Sequence, residues 1–243
     1  MFSNDPSQSI WKLDVKVIKV GSCTVDPANA VSLPHIMLKN QLGIGGGSTA
    51  TIIIEDNEIL LIDTGYDFET DTSTANMQRN WNNLRTSLES NGISADEITK
   101  IFITHFHRDH FGCIEYFQHA DWYCLDLSSS EIPHEIIQRF IALEDGEHIL
   151  PNVAIINTPG HTRDHSSLLY TNENKTVRIA VSGDAIINLA WLQSGKIWKF
   201  NSGYMGAETA KESIKRILKE SDIVIPGHGQ PFFVTDKLIE LYE

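Results

Sequence analysis

Short apolar runs alternate along this chain with polar and glycine-containing segments, a pattern typical of β-strands joined by turns. Two of these runs flank Asp56-Asn57, a favoured tight-turn pair, and together predict a β-hairpin. The predicted strands are Val15–Val20, Thr49–Glu55, Glu58–Ile62, Ile101–Ile103, Trp122–Leu125, Val153–Ile156, Ser167–Tyr170, Val177–Val181 and Ile223–Ile225.

Apolar residues at helical spacing predict helices between these strands. The predicted helices are Met77–Glu89, Cys113–Gln118, Glu135–Ala142 and Ala207–Lys219. Residues 21–47 are instead a long glycine-containing loop, which is predicted to be either a functional flap over a cleft or a packed surface loop. Because the chain has no repeats, linkers or low-complexity segments, residues 1–243 are predicted to form one domain.

The composition is ordinary for a globular protein, with 41% hydrophobic and 21% charged residues. The formal net charge of −13 disfavours nucleic acid and anionic membranes as partners, because both are negatively charged. The 3 cysteines lack metal-finger spacing and are expected to be reduced. No basic start, apolar leader or membrane-spanning stretch is visible, so we expect a cytoplasmic protein; a homodimer is one alternative for its oligomeric state.

Several of the predicted strands end in polar clusters that contain histidine or aspartate. The richest cluster is His105-Phe106-His107-Arg108-Asp109-His110. Alternate side chains of an extended segment point the same way, so His105 and His107 can reach one spot. Asp109 and His110 come from the following turn and can face a neighbouring spot. The other clusters are Pro159-Gly160-His161, Gly183-Asp184 and Gly227-His228.

These clusters predict a pair of adjacent metal sites, because strand ends from separate parts of a chain commonly converge at one edge of a sandwich. One site would take His105, His107 and His161, the other would take Asp109, His110 and His228, and Asp184 would bridge the two. Imidazole and carboxylate ligands suit zinc first, with iron or manganese as alternatives. Two divalent metal ions that share a carboxylate form a hydrolytic centre.

The ordered set His105-x-His107-x-Asp109-His110, with His161, Asp184 and His228 following, resembles the metallo-β-lactamase superfamily. The resemblance covers roughly residues 13–235. It implies an α+β fold, the four-layer αββα sandwich, with a dinuclear site along one edge. It further implies that residues outside the coordination shell orient the ligands. These positioning candidates are Asp63, Thr104, Thr162 and His165.

The same resemblance implies a chemistry in which a metal-bound water with a pKa near ~7 supplies hydroxide to attack a carbonyl or phosphoryl centre. Asp109 is the candidate for passing a proton to the leaving group. The first prediction is hydrolysis of an ester, lactone or thioester of small-molecule size. The compact chain resembles the acyl-homoserine lactonases, although Ile187 stands where they carry a substrate-contacting tyrosine. The candidate residues of a substrate pocket, with core packing as the alternative, are Met37, Ile187, Trp191, Trp198 and Tyr204.

Two other functions stay open. The segment Pro226–Phe232 and the overall length resemble the single-domain metallo-β-lactamase domain-containing protein 1 type, which is linked to RNA cleavage. A phosphodiesterase or ribonuclease is therefore the alternative enzyme. The third interpretation is a non-catalytic family member that binds a ligand without turnover.

Overall fold

The computed structural model describes residues 14–21, 47–65, 74–128, 132–197 and 203–243. Its strands are β1 (Val15–Lys19), β2 (Ala50–Glu55), β3 (Glu58–Ile62), β4 (Lys100–Phe102), β5 (Asp121–Cys124), β6 (Phe140–Ala142), β7 (His148–Leu150), β8 (Val153–Asn157), β9 (Ser166–Thr171), β10 (Arg178–Val181), β11 (Ile223–Ile225) and β12 (Phe232–Phe233). Its α-helices are α1 (Thr74–Ser90), α2 (Arg108–Phe111), α3 (Leu189–Gln193), α4 (Ala207–Glu220) and α5 (Asp236–Glu240).

The strands form two mixed sheets that pack face to face between helices. The first sheet has the order β1-β2-β3-β4-β5-β6 and the second has the order β12-β11-β10-β9-β8-β7. Three apolar clusters separate the layers: one lies between the first sheet and α1, one between the sheets, and one between the second sheet and α4 with α5. This architecture confirms the predicted αββα sandwich.

Strict alternation of side chains produces these layers. Leu60 and Ile62 of β3 enter the cluster between the sheets, whereas Leu61 enters the outer cluster below α1. In the second sheet, Ile155 faces the first sheet while Ile156 faces the helical layer. Because both faces of these strands are buried, their sequences are continuous apolar runs.

The strand directions explain why the histidine-rich segments meet. β3 and β4 pair in parallel in the first sheet. In the second sheet, β8 and β10 each pair antiparallel with β9, and β10 pairs in parallel with β11. The carboxyl ends of β8, β10 and β11 therefore lie at one edge, where the polar clusters of the sequence follow them.

One predicted helix is wrong. The segment Glu135–Ala142 contains a 3-10 turn, Ile137–Arg139, and then strand β6, which pairs in parallel with β5. Sheet pairing of Trp122 with Phe140 outweighs the local helical spacing. The predicted helix Cys113–Gln118 is likewise reduced to a 3-10 turn, Ile114–Tyr116. In the described part of the chain, none of the helices has the length and apolar character that crossing a membrane requires.

The cluster between the sheets generates a stability prediction. Phe102 is fully buried there, so Phe102→Ala should destabilise the metal-free protein by about 3–5 kcal/mol through lost burial and the remaining cavity. Urea unfolding in the presence of a chelator measures this difference. The matched control is Phe233→Ala, because Phe233 is 75% exposed and its truncation should change stability little. Equal losses in the two variants would contradict the assignment of the core.

Candidate metal centre

The first group of converging side chains is His105, His107 and His161. The chain after β4 bends at Thr104 and His105 and is extended again at His107, and the His105 and His107 rings lie 4.6 Å apart between centroids. His161 arrives from the turn after β8, where its Nε2 lies 2.8 Å from Nδ1 of His107. A ligand nitrogen from each of the three rings lies within 4.8 Å of the others. The group is thus assembled from two sheets.

The second group is Asp109, His110 and His228. Helix α2 places Asp109 and His110 side by side, and His228 follows β11. Nε2 of His228 lies 3.3 Å from Oδ2 of Asp109, and Nε2 of His110 lies 3.7 Å from the same oxygen. The ligand atoms of Asp109, His110 and His228 all lie within 4.8 Å of one another.

Asp184 stands between the two groups. Its Oδ1 lies 3.2 Å from Nε2 of His110 and 3.2 Å from Nε2 of His228, while its Oδ2 lies 3.5 Å from Nε2 of His161. The two oxygens of one carboxylate therefore face different groups. A single 3-10 turn after β10, Gly183–Ala185, holds Asp184 in this position.

Asp63, which directly follows β3, orients one histidine of each group. Its Oδ1 accepts the backbone N–H of Thr104 at 2.9 Å, and its Oδ2 accepts the Thr104 hydroxyl at 2.9 Å and Nδ1–H of His110 at 2.7 Å. Because the only hydroxyl hydrogen of Thr104 goes to Asp63, Nδ1 of His105, at 3.1 Å, must be the donor to Thr104 Oγ1. In their neutral tautomers, His105 and His110 both present Nε2 to the centre.

His228 and His165 are oriented by backbone groups. Nδ1 of His228 lies 3.1 Å from the carbonyl oxygen of Gly47, which can only accept, so Nδ1 carries the hydrogen and Nε2 of His228 faces the centre. Nε2 of His165 accepts the backbone N–H of Ala185 at 3.1 Å, and its Nδ1 donates to Thr158 at 2.9 Å. His165 therefore holds the turn that carries Asp184 rather than entering the centre itself.

A close backbone approach completes the geometry around Asp184. A side chain at Gly227 would overlap Oδ1 of Asp184 and would lie within 2.9 Å of the Gly183 carbonyl group. Glycine is therefore the residue that allows β11 and the Asp184 turn to meet. It immediately precedes His228, so the same turn also brings the His228 ring to the centre.

The electrostatics divide the histidines into two kinds. Burial lowers the pKa of His105 well below its usual value and lowers that of His161 to about 4, so both rings are neutral at pH 7. At His110 burial acts in the same direction, but nearby carboxylates, Asp184 first, outweigh it and raise the pKa to about 10. The pKa of His228 is likewise raised well above its usual value, against burial, by Asp184 and Asp109.

The same rings stabilise the charged carboxylates. Burial would raise the pKa of Asp109, but His110 and His228 lower it to about 2. Asp184, opposed by burial in the same way, has its pKa lowered well below the usual value by His228 and His110. The two charged carboxylates are therefore balanced by the protonated rings of His110 and His228, and a bound cation would replace those protons as the source of positive charge.

Divalent cations fit this arrangement. Within the described residues, the fully buried Nε2 of His105 has no hydrogen-bond partner, although an unsatisfied buried polar atom is costly. The separations of 3.2–3.7 Å among the ligand atoms of the second group and Asp184 agree with those of tetrahedral ligands about 2.0–2.1 Å from one zinc ion, which are roughly 3.3 Å apart. Both donor groups are thus suited to hold a cation.

Comparison with known proteins identifies the family. The model of the metallo-beta-lactamase superfamily matches residues 43–228, most of the chain. The chain belongs to the metallo-beta-lactamase superfamily. The resemblance inferred from the sequence is thereby confirmed, and the chain is a metal-dependent hydrolase of this superfamily.

Three known proteins match this chain at 21–30% identity. Metallo-beta-lactamase domain-containing protein 1 of Xenopus laevis is 27% identical over 82% of this chain and 81% of its own length. Hydroxyacylglutathione hydrolase of Haemophilus ducreyi is 30% identical over 54% of this chain, which spans about half of that protein (51%). A Bacillus thuringiensis AiiA variant, solved with N-decanoyl-L-homoserine bound at its active site, shares the fold with a TM-score of 0.56 and 21% identity, over 74% of this chain and 80% of that one.

The remaining candidates from the sequence lie in different surroundings. Thr162 is buried directly after His161, and the backbone N–H of Tyr204 donates to Gly160 at 2.9 Å, beside the same turn. Ile187 and Trp191 are buried and line a cavity of only about 20 Å³. A role of these side chains in substrate binding stays a prediction. The candidates Met37 and Trp198 lie outside the described residues.

Sequence reasoning missed several parts of the site. The carbonyl group of Gly47, which orients His228, carries no sequence signal, because every residue has such a group. Thr158 was not singled out either; it contacts His165 and the hydroxyl of Ser167 at 2.8 Å. Its only signal was its place directly before Pro159-Gly160-His161.

The contacts of Asp63 lead to a test of the centre. Asp63→Asn keeps the size of the side chain but replaces one of two accepting oxygens by a donor, which then faces Thr104 or His110. We expect the affinity for zinc to fall about 10–100-fold, as measured by competition with a chromogenic chelator. The backbone at Asp63 has a φ of 56°, a conformation that asparagine also tolerates, so the variant should fold.

Asp222→Asn is the matched control for this measurement. Asp222 also accepts a backbone N–H, that of Arg178 at 2.8 Å, but it precedes β11 and lies at the opposite edge of the sheet. Its substitution should leave zinc affinity unchanged. Parental affinity in Asp63→Asn would show that this carboxylate does not orient a ligand.

Proposed function

We propose that this chain is a dinuclear metal-dependent hydrolase that attacks the carbonyl group of an ester, lactone or thioester. The observation that carries the proposal is the placement of Asp184. Its two oxygens face separate three-residue groups, at 3.2 Å from His110 and His228 and 3.5 Å from His161. A shared carboxylate between two donor sets is the arrangement of a two-metal hydrolytic centre.

The proposed ligands are those that the sequence indicated: His105, His107 and His161 for one cation, Asp109, His110 and His228 for the other, and Asp184 for both. Zinc is the first choice and iron or manganese are alternatives, because nitrogen and oxygen donors serve all three. Two such cations, when bound, supply Lewis-acid polarisation of the substrate and lower the pKa of water to near ~7.

The protein side chains contribute charge and orientation. Asp63 holds His110 and, through Thr104, His105, so the coordinating nitrogens are in place before a cation arrives. His165 holds the Asp184 turn by accepting the Ala185 N–H. Such preorganisation reduces the rearrangement that the reaction requires.

Asp109 is the proposed proton carrier. Its side chain is 23% exposed, whereas that of Asp184 is 5% exposed, so Asp109 is the carboxylate on the open side of the centre. The carboxylate oxygen of Asp109 that stays free of the cation would take up the proton released by the attacking water and deliver it to the leaving group of the substrate. General acid catalysis of this kind contributes typically about 10²–10⁴-fold.

A carbonyl substrate is favoured over a phosphodiester for two reasons. Two of the compared proteins point to acyl compounds: one is named hydroxyacylglutathione hydrolase, and the AiiA variant was solved with N-decanoyl-L-homoserine at its active site. The net charge of −13 also repels a polyanionic substrate such as RNA. Phosphodiester cleavage is the alternative activity, and an assay must distinguish it from carbonyl hydrolysis.

The proposal predicts the outcome of a substrate screen. Zinc-loaded protein should contain two metal ions per chain and hydrolyse a thioester, a lactone or an aryl ester, but not bis-(p-nitrophenyl) phosphate. Asp184→Ala is the blank and should lose both the second metal ion and turnover. Activity on the phosphodiester alone would overturn the carbonyl assignment, and full metal content without any turnover would indicate a binding protein.

The role of Asp109 has its own test. Asp109→Asn removes the proton-carrying oxygen but keeps one oxygen that can bind a cation. Turnover per bound metal ion should therefore fall at least about 100-fold. Metal analysis of the same sample separates loss of proton transfer from loss of a ligand. An Asp109→Asn protein that keeps both metal ions and full turnover would remove this role.

A further inference from the structure

Residues 47–49, which lead into β2, hold the turn that carries His228. The carbonyl oxygen of Gly47 accepts Nδ1–H of His228 at 3.1 Å. The backbone N–H of Thr49 donates to the carbonyl oxygen of Gly227, the residue before His228, at 2.7 Å. The orientation of the His228 ring therefore depends on where this short segment lies.

Lys19, the last residue of β1, fixes the same segment through its side chain. Its half-buried ammonium group donates a charge-assisted hydrogen bond of 2.6 Å to the carbonyl oxygen of Ser48. This carbonyl belongs to the same planar peptide group as the N–H of Thr49. One rigid peptide group is thus bonded to Lys19 through its oxygen and to Gly227 through its N–H.

The backbone after β1 supports this contact independently of Lys19. The N–H of Gly21 donates to the hydroxyl oxygen of Thr49 at 3.1 Å. A side chain at Gly21 would overlap the carbonyl oxygen of Gly47, so glycine allows the end of β1 to lie directly against residues 47–49. The ammonium group is therefore brought to Ser48 by the packing of two backbone segments.

We propose that Lys19 is a positioning residue for His228, acting through the peptide group between Ser48 and Thr49. Ser48 is fully buried, so a carbonyl oxygen that loses its ammonium partner there favours movement of the segment. The inference rests on the proposed metal centre, in which His228 binds one of two cations, and it makes the affinity for that cation depend on a residue of β1.

A role through position and a role through charge predict opposite effects of removing the ammonium group. A lysine that acted on the centre only by its charge would repel a cation, so its removal would strengthen zinc binding. A lysine that holds His228 in place has the opposite effect, because a poorly oriented ligand binds zinc more weakly.

Lys19→Met tests the inference, because it keeps the apolar stem and removes the ammonium group. In a stepwise titration against a chromogenic chelator, the affinity for one of the two zinc ions should fall about 10-fold, and the other should stay at the parental value. Lys16→Met is the matched control. It makes the same change in net charge on the same strand, but Lys16 is exposed, so both affinities should persist.

The His228 ring gives a readout that does not require zinc or turnover. The chain has 10 histidines, and ¹⁵N-histidine labelling with His228→Gln and His165→Gln identifies these two rings. Lys19→Met should shift the Nδ1 resonance of His228, because its bond to Gly47 loosens, and should leave that of His165, which is bonded to Thr158, in place. General loosening of the fold would move both resonances.

Three results would overturn the inference: zinc binding in Lys19→Met that is unchanged or tighter, an equal loss of affinity in Lys16→Met, or a His228 resonance that stays at its parental position. Each of them leaves the hydrolase proposal intact. If the parent protein binds no zinc but Lys19→Met still shifts the His228 resonance alone, the proposed metal centre fails while the positioning role of Lys19 stands.

Discussion

The carboxylate of Asp63 is the contact on which the geometry of the centre depends. It lies at the end of β3 and accepts three hydrogen bonds from the neighbouring β4 segment and α2, two from Thr104 and one from His110. A carboxylate can accept but not donate, so these bonds decide which nitrogen of His110, and through Thr104 of His105, remains open. The parallel pairing of β3 with β4 supplies the proximity that makes this possible.

A second constraint is the meeting of the two sheets at one edge. The His161 turn is anchored to the outer helical layer, where Ser213 of α4 donates to the Pro159 carbonyl at 2.6 Å. On the other side, Gly227 lets the backbone after β11 approach Asp184 closely. The centre is therefore built between elements that are packed in the core, and loops contribute mainly the ends of these elements. Rigid support of this kind suits a site whose side chains must stay at fixed separations.

The elements that the sequence predicted correctly are those in which local pattern and tertiary pairing agree. The hairpin β2–β3 forms around Asp56-Asn57, and α4 begins and ends close to its predicted bounds. The predicted and observed elements differ where a strand pairs with a segment that is distant in the sequence. Residues 140–142 follow a helical spacing in sequence but complete the edge of the first sheet, and the short elements β7, β12, α2, α3 and α5 were not predicted.

By itself, the sequence determined which histidines and aspartates converge, and the family that these motifs resemble implied the sandwich architecture, because the type and order of ligand residues can be recognised without a structure. Only the tertiary structure decided how those side chains are oriented. The bond from Thr104 to Asp63 spans 41 residues and that between His161 and His107 spans 54, so neither is encoded in a local pattern.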